Sequence, residues 1–176
     1  MRKKTEEKLY KALVMLLEND DYEKVTILQI CQEAGVNRST FYRKFKSKDD
    51  LLRWKSNQLV QIYIHELNEL GKVNMDDVVI FFYQFWIKYK SFILMLQKQN
   101  MQLFLLNEFN RHILNVHQST REKFQHNLND EYMMLSLSLS FNVGGLWNML
   151  LYAIENNYSE EEFLKGFQEI KLFYNV

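Results

Sequence analysis

No proline occurs in this chain, and glycine occurs five times among 176 residues. Hairpins, sandwiches and barrels need those residues at their corners, because proline presets φ and glycine enters backbone regions closed to other side chains. Their scarcity points to an all-α chain of long helices joined by few turns. The length fits one good-sized domain, or a small domain joined to a larger one. The single cysteine, Cys31, excludes an internal disulfide and fits a reducing compartment. The run MRKKTEEKLYKALVML is broken by charge and does not read as a signal peptide. A cytoplasmic protein is expected.

Total charge is silent, since 22 basic residues meet 22 acidic ones. Its distribution is not silent. Residues 1–55 hold 13 Lys/Arg and 9 Asp/Glu, a balance of +4, and residues 56–176 carry the compensating −4. Such asymmetry suggests an anionic partner for the first part. The excess peaks in VNRSTFYRKFKSK, residues 36–48, with five Lys/Arg, no acid and three aromatic rings.

Leu9, Ala12, Leu13, Leu16 and Leu17 recur on one helical face, predicting a first helix from about Lys4 to Asn19. Thr26 and Gln29 form a capping box for a second helix, with Ile27, Ile30, Cys31 and Ala34 inward and Gly35 as its stop. Asn37 can cap a third, over Arg38 to Lys44, which makes a helix-turn-helix. At about 100° per residue, Phe41 and Phe45 share one side of that third helix. Ser39 and Arg43 then lie opposite, flanked by Thr40 and Tyr42. The outward groups are donors suited to phosphate oxygens and base edges. Ser47 and Asp50 cap a fourth helix, placing Lys48 in a first turn where the helix dipole disfavours it. That cost predicts another role for Lys48, such as meeting a phosphate.

The stretch TILQICQEAGVNRSTFYRKFKSKDDLL, residues 26–52, resembles the DNA-binding signature of TetR-family transcriptional regulators, T-x-x-x-I-(A)-x-x-A-G-V-(S)-x-x-T-F/L-Y-x-x-F-x-(S/N)-K-x-x-L. Cys31 departs from the usual alanine and Asn37 from the commoner serine. The resemblance implies that Thr26, Tyr42 and Lys48 meet the DNA backbone, and that Thr40 does so or reaches a base. It makes Arg38, Ser39 and Arg43 the candidates for base reading, with Lys44 nearby. It also implies the domain plan: residues 1–50 bind DNA, a fourth helix over 48–70 connects, and 51–176 form a helical regulatory and dimerisation domain.

Beyond the fourth helix, ended by Gly71, Asn74 and Asp77 predict a new start into an aromatic-rich run with a break near Lys88 to Ser91. A further helix is expected around Gln102 to Phe124, followed by a polar connection over His126 to Asp130. The family resemblance implies a pocket for a small apolar or aromatic ligand among these helices. Phe82, Phe85, Trp86, Tyr89 and Phe104 are the candidate walls, with Asn107 and His112 to orient a ligand. Residues 132–154 carry no charge over 23 positions, long enough to cross a bilayer. Asn142, Asn148, three serines and Gly144-Gly145 interrupt them, so burial against protein is the reading taken. Ser159 and Glu162 cap a last amphipathic helix. That order is similar to the family's dimer-forming pair, which implies an interface through Leu139, Val143, Gly144, Leu146, Trp147, Leu150, Phe163, Phe167 and Ile170.

No catalytic constellation is visible. His65, His112, His117 and His126 are scattered without acids at ligand spacing, and no glycine loop cradles a phosphate. No enzyme activity, cofactor or metal is expected. The expected partners are palindromic double-stranded DNA, a second copy of the chain and a small apolar ligand that releases a repressor, with no membrane. A protein co-regulator in place of the ligand, with the chain as an activator, is the alternative. A helical ligand carrier or enzyme that has lost DNA binding is the third possibility.

Overall fold

The computed structural model describes residues 3–71, 73–121 and 132–174, and every regular element among them is a helix. In chain order these are α1 (Lys3–Leu17), α2 (Ile27–Ala34), α3 (Arg38–Tyr42), α4 (Lys48–Glu69), α5 (Met75–Ile87), α6 (Lys90–Lys98), α7 (Leu103–Arg121), α8 (Tyr132–Asn156) and α9 (Glu160–Tyr174). The connection His126 to Asp130 lies outside the described residues.

Local chemistry sets most of the boundaries. Thr26 N–H donates to Gln29 Oε1 at 2.8 Å and Gln29 N–H donates back to Thr26 Oγ1 at 3.2 Å, so the capping box forms. At the other end of α2, Gly35 sits at φ 62° and ψ 39°. Its N–H donates to Gln32 O, and Val36 N–H donates to Cys31 O at 2.9 Å, the two bonds of a Schellman stop. Asn74 with Asp77 and Ser159 with Glu162 make the same reciprocal boxes at the starts of α5 and α9.

Three expectations shift. Asn37 occupies the cap position of α3 but its side chain makes no cap bond. Regular α3 ends at Tyr42, and the chain continues as a tightened turn in which Lys44 N–H and Phe45 N–H both donate to Phe41 O at 2.9 Å. The fourth helix ends at Leu70 in an extended conformation, so Gly71 supplies no left-handed stop. The break between α5 and α6 falls where the sequence places it, with a bend of 72°.

Two packed regions share one core. In the first, Leu9, Leu13 and Leu17 of α1 bury against Ile30, Cys31, Phe41, Phe45 and Leu51. In the second, Tyr63 of α4, Phe82, Phe85 and Trp86 of α5, Phe109 of α7 and Trp147 of α8 pack ring against ring, in edge-on, tilted and stacked pairs. Trp86 lies 5.4 Å from both Phe109 and Trp147 between ring centroids, and Tyr63 lies 5.2 Å from Phe85. Helix α4 belongs to both regions and so carries the first on the second.

Candidate nucleic-acid interface

Phe41 and Phe45 are buried, as the helical projection requires, and they hold the third helix against α1 and α2. Arg38, Ser39 and Arg43 are exposed, Thr40 is half-buried, and Tyr42 stands 48% exposed, unusual for a ring on a well-packed corner. Arg38 Nη2 donates to the Tyr42 hydroxyl at 3.4 Å, and its guanidinium lies 5.7 Å from that ring's centroid. Residues 38–43 thus present two guanidinia, the Ser39 hydroxyl and a tyrosine to solvent. Thr26, also exposed, begins the helix that precedes it.

The two lysines behave differently from the arginines. Lys44 pairs with Glu6 of α1, both side chains being mostly shielded from solvent. Lys48 donates to Val25 O at 3.0 Å, Glu23 O at 3.3 Å and Tyr22 O, which occupies all three of its N–H groups. Its ammonium also lies 4.2 Å from the centre of the Tyr22 ring. The unfavourable position of a lysine in the first turn of α4 is therefore met inside the protein, by the corner that leads into Thr26. A phosphate reaching Lys48 would have to share it with those carbonyls.

Residues without a local sequence signal complete the corner. Tyr22 donates from its hydroxyl to Asp49, which together with burial raises its pKa. Its backbone N–H donates to Gln99 Oε1 at 2.8 Å, Gln99 Nε2 donates to Asp20 O at 3.3 Å, and Lys98 Nζ donates to Glu18 O at 3.3 Å. The end of α6 is thereby fastened to the α1–α2 corner. Burial pushes the Cys31 thiol up, as for a packed thiol.

The expected pocket residues take different places in the bundle. Phe82, Phe85 and Trp86 are buried in direct ring contacts, while Tyr89 and Phe104 are half-buried against the same core. Asn107 faces solvent. His112 joins α7 to α4, with Asn57 Oδ1 3.1 Å and Gln61 Nε2 3.2 Å from its ring nitrogens.

The expected interface residues divide as well. Val143, Trp147, Leu150 and Phe163 are the chain's own core: Trp147 meets Phe82, Trp86 and Phe109, and Phe163 lies 5.0 Å from Tyr83. That place in the chain's own core differs from the partner-facing stripe expected for them. Helix α8 lacks charge nearly all round, so its sequence held no sign of which side the core would take. Leu139, Gly144, Leu146 and Phe167 are half-buried, and Ile170 is exposed. The apolar side chains that α8 leaves open are Leu137 at 62%, Phe141 at 74% and Tyr152 at 58% exposure. By length and composition alone Leu137–Asn156 could cross a membrane, yet its Trp147 side is committed to the protein core.

Residues 9–53 match the family described as bacterial regulatory proteins, tetR family. Solved structures share the fold over nearly the whole chain. Lin0861 from Listeria innocua superposes with a TM-score of 0.80 at 17% identity, covering 98% of this chain and 92% of that one. A TetR transcriptional regulator from Streptococcus agalactiae 2603V gives 0.61 at 22% identity, over 96% and 93%. The dihydroxyacetone kinase operon activator DhaS gives 0.56 at 19% identity, over 97% and 95%. No curated protein matches the chain.

Proposed function

We propose, from the premise that the chain is a TetR-family regulator with that family's DNA-binding domain at residues 9–53, that it acts in the cytoplasm as a homodimeric repressor on a palindromic operator. The observation that carries the reading is the turn at Arg38 to Arg43. Its Phe41 is buried, Arg38, Ser39, Tyr42 and Arg43 are exposed, and left-handed Gly35 closes the α2 that precedes it. Arg38, Ser39 and Arg43 reach base edges in the major groove, while Thr26, Thr40 and Tyr42 hold phosphates. Lys44 and Lys48 contribute chiefly by positioning, because Glu6 and the carbonyls of residues 22, 23 and 25 already engage them.

A two-fold partner would meet the open face of α8, where Leu137, Phe141, Gly145, Asn148 and Tyr152 recur at spacings of three and four, together with Ile170 of α9. Two heads held in that way read half-sites about one helical turn, or a multiple of it, apart. Release by a small apolar ligand requires the rings around Trp86 to part, since they fill the middle of the bundle with ring-to-ring contacts. A second reading has a protein co-regulator in place of the ligand. DhaS is by name an operon activator with this fold, and an activating role belongs to that reading.

The test is binding of the full chain to DNA over a salt series. Neutralising several phosphates makes log K fall linearly with log salt, by about 0.9 per phosphate contacted. A tight, steeply salt-dependent complex with the DNA flanking its own gene is expected. No salt-dependent complex with any duplex would remove both DNA-binding readings.

A further inference from the structure

An open cleft runs between the DNA-binding domain and α7, with a volume of about 390 Å³. That lies in the range of about 300–1,000 Å³ usual for small-molecule sites, which favour domain junctions. One wall is the α3–α4 turn and the first turns of α4, with Lys46, Asp50, Arg53, Trp54 and Asn57. Facing it are Glu108 and Arg111 of α7, with Lys44 and Phe45 completing the lining.

The donors and acceptors in this cleft are unequal. Asp50 has both oxygens engaged, one by Arg53 Nη1 at 2.8 Å and the other by the Lys46 backbone N–H at 2.9 Å. Glu108 is almost fully buried and is met by Arg111 Nη1 at 2.9 Å. Each guanidinium carries five N–H donors and uses one on its carboxylate. The Lys46 ammonium has no ion-pair partner among the described residues. The lining therefore has spare N–H donors on three cations and carboxylates whose partners are already in place. The half-buried ring of Trp54 lines the same cleft, set edge-on to Phe45 at 6.1 Å.

We infer that this cleft is a binding site for a small organic anion carrying one flat ring, with the anionic group between Arg53, Arg111 and Lys46 and the ring against Trp54. Charge-assisted bonds from guanidinium to a carboxylate or phosphate are short and geometrically specific, and an indole face accepts a second ring. The site is separate from the aromatic core of the bundle. It takes donors from both domains, so its occupant binds best to the domain orientation that brings them together and favours that orientation by linkage.

Titration of the full chain with phenyl phosphate, followed by tryptophan emission, tests the assignment. Trp86 and Trp147 are buried elsewhere, so a saturable change lost in Trp54→Phe belongs to the cleft. Saturation below about millimolar is expected, with Arg111→Gln and Lys46→Gln each weakening binding about tenfold, as the loss of one charge-assisted bond would. Arg111→Gln keeps an amide donor for the buried Glu108 carboxylate, and a circular dichroism melt checks that the variant folds. Phenol, which lacks the charge, and inorganic phosphate, which lacks the ring, should each bind at least about tenfold more weakly. No saturable change, or equal affinity in the two variants, overturns the site. Equal affinity for inorganic phosphate overturns the ring requirement. Displacement of phenyl phosphate by an unrelated DNA duplex, with Arg111→Gln weakening that duplex equally, would assign the cleft to the DNA backbone and overturn it also.

Discussion

At the scale of single residues, the DNA-facing corner depends on one backbone conformation. Gly35 sits at φ 62°, and a Cβ placed there would meet nothing within 4 Å. The obstacle to a side chain is therefore conformational, not steric crowding. Left-handed backbone costs an L-residue about 1 kcal/mol or more, so Gly35→Ala should lower stability by about 1 kcal/mol and Tm by about 2–4 °C. Gly35→Asn, better tolerated in that region, should lose less; equal Tm values for Gly, Asn and Ala in a thermal melt would contradict this. Beside it, Tyr42 and Arg43 are both exposed but should differ in effect. Tyr42→Ala should weaken every DNA site alike, as loss of a phosphate contact does. Arg43→Ala should also relax the preference among bases by about 1–3 kcal/mol at one position. Selection of bound sequences from a random pool measures both, and an unchanged preference for Arg43→Ala would strike it from base reading.

Elements show where sequence is informative and where it falls silent. The starts of α2, α4, α5 and α9 were legible because each cap lies within three residues of its partner: Thr26 with Gln29, Ser47 with Asp50, Asn74 with Asp77, Ser159 with Glu162. The inward turn of Phe41 and Phe45 was legible for the same reason, since helical spacing alone decides it. The partners of Lys44 and Lys48 were not legible, because Glu6 and the carbonyls of residues 22–25 come from far along the chain. The helix dipole marks Lys48 as misplaced from sequence alone, whereas the carbonyls that answer it lie 23 to 26 residues away. Helix α8, uncharged from Tyr132 to Ile154, offers no periodicity to separate core from surface, and Trp147 lies on its core side.

The link from α6 to the DNA-binding domain belongs to this same scale. Gln99 bonds to Tyr22 N–H and Asp20 O across 77 and 79 positions of sequence, and Tyr22 in turn holds Asp49 and Lys48 at the start of α4. Gln99→Leu keeps much of the volume and removes both bonds. Leaving a partly buried amide unpaired costs on the order of 1 kcal/mol. Hydrogen exchange at the Tyr22 amide should then quicken about five- to tenfold, because local opening is governed by that free energy. Unchanged exchange there would mean that α6 does not fasten the corner.

For the whole molecule the open question is what covers α8. Leu137, Phe141 and Tyr152 expose apolar surface on one side while Trp147 and Leu150 fill the core on the other. A monomer gains nothing from that arrangement, whereas two copies related by a two-fold axis would bury each exposed ring once on either side. Removing a side chain of this size from water contributes about 1.5–3 kcal/mol, and symmetry counts it twice. Phe141→Glu would also set two carboxylates near each other across the axis. The dimer should therefore weaken by at least about 3 kcal/mol, or roughly 150-fold in dissociation constant. Sedimentation at micromolar concentration is expected to show dimer for the unaltered chain and monomer for Phe141→Glu. Leu103→Glu is the control on a different helix, since Leu103 is 58% exposed at the start of α7. Binding to a two-half-site operator should fall with Phe141→Glu, and binding to a single half-site should hardly change, because each head keeps its own corner intact. A Phe141→Glu chain that remains dimeric would place the two-fold axis elsewhere.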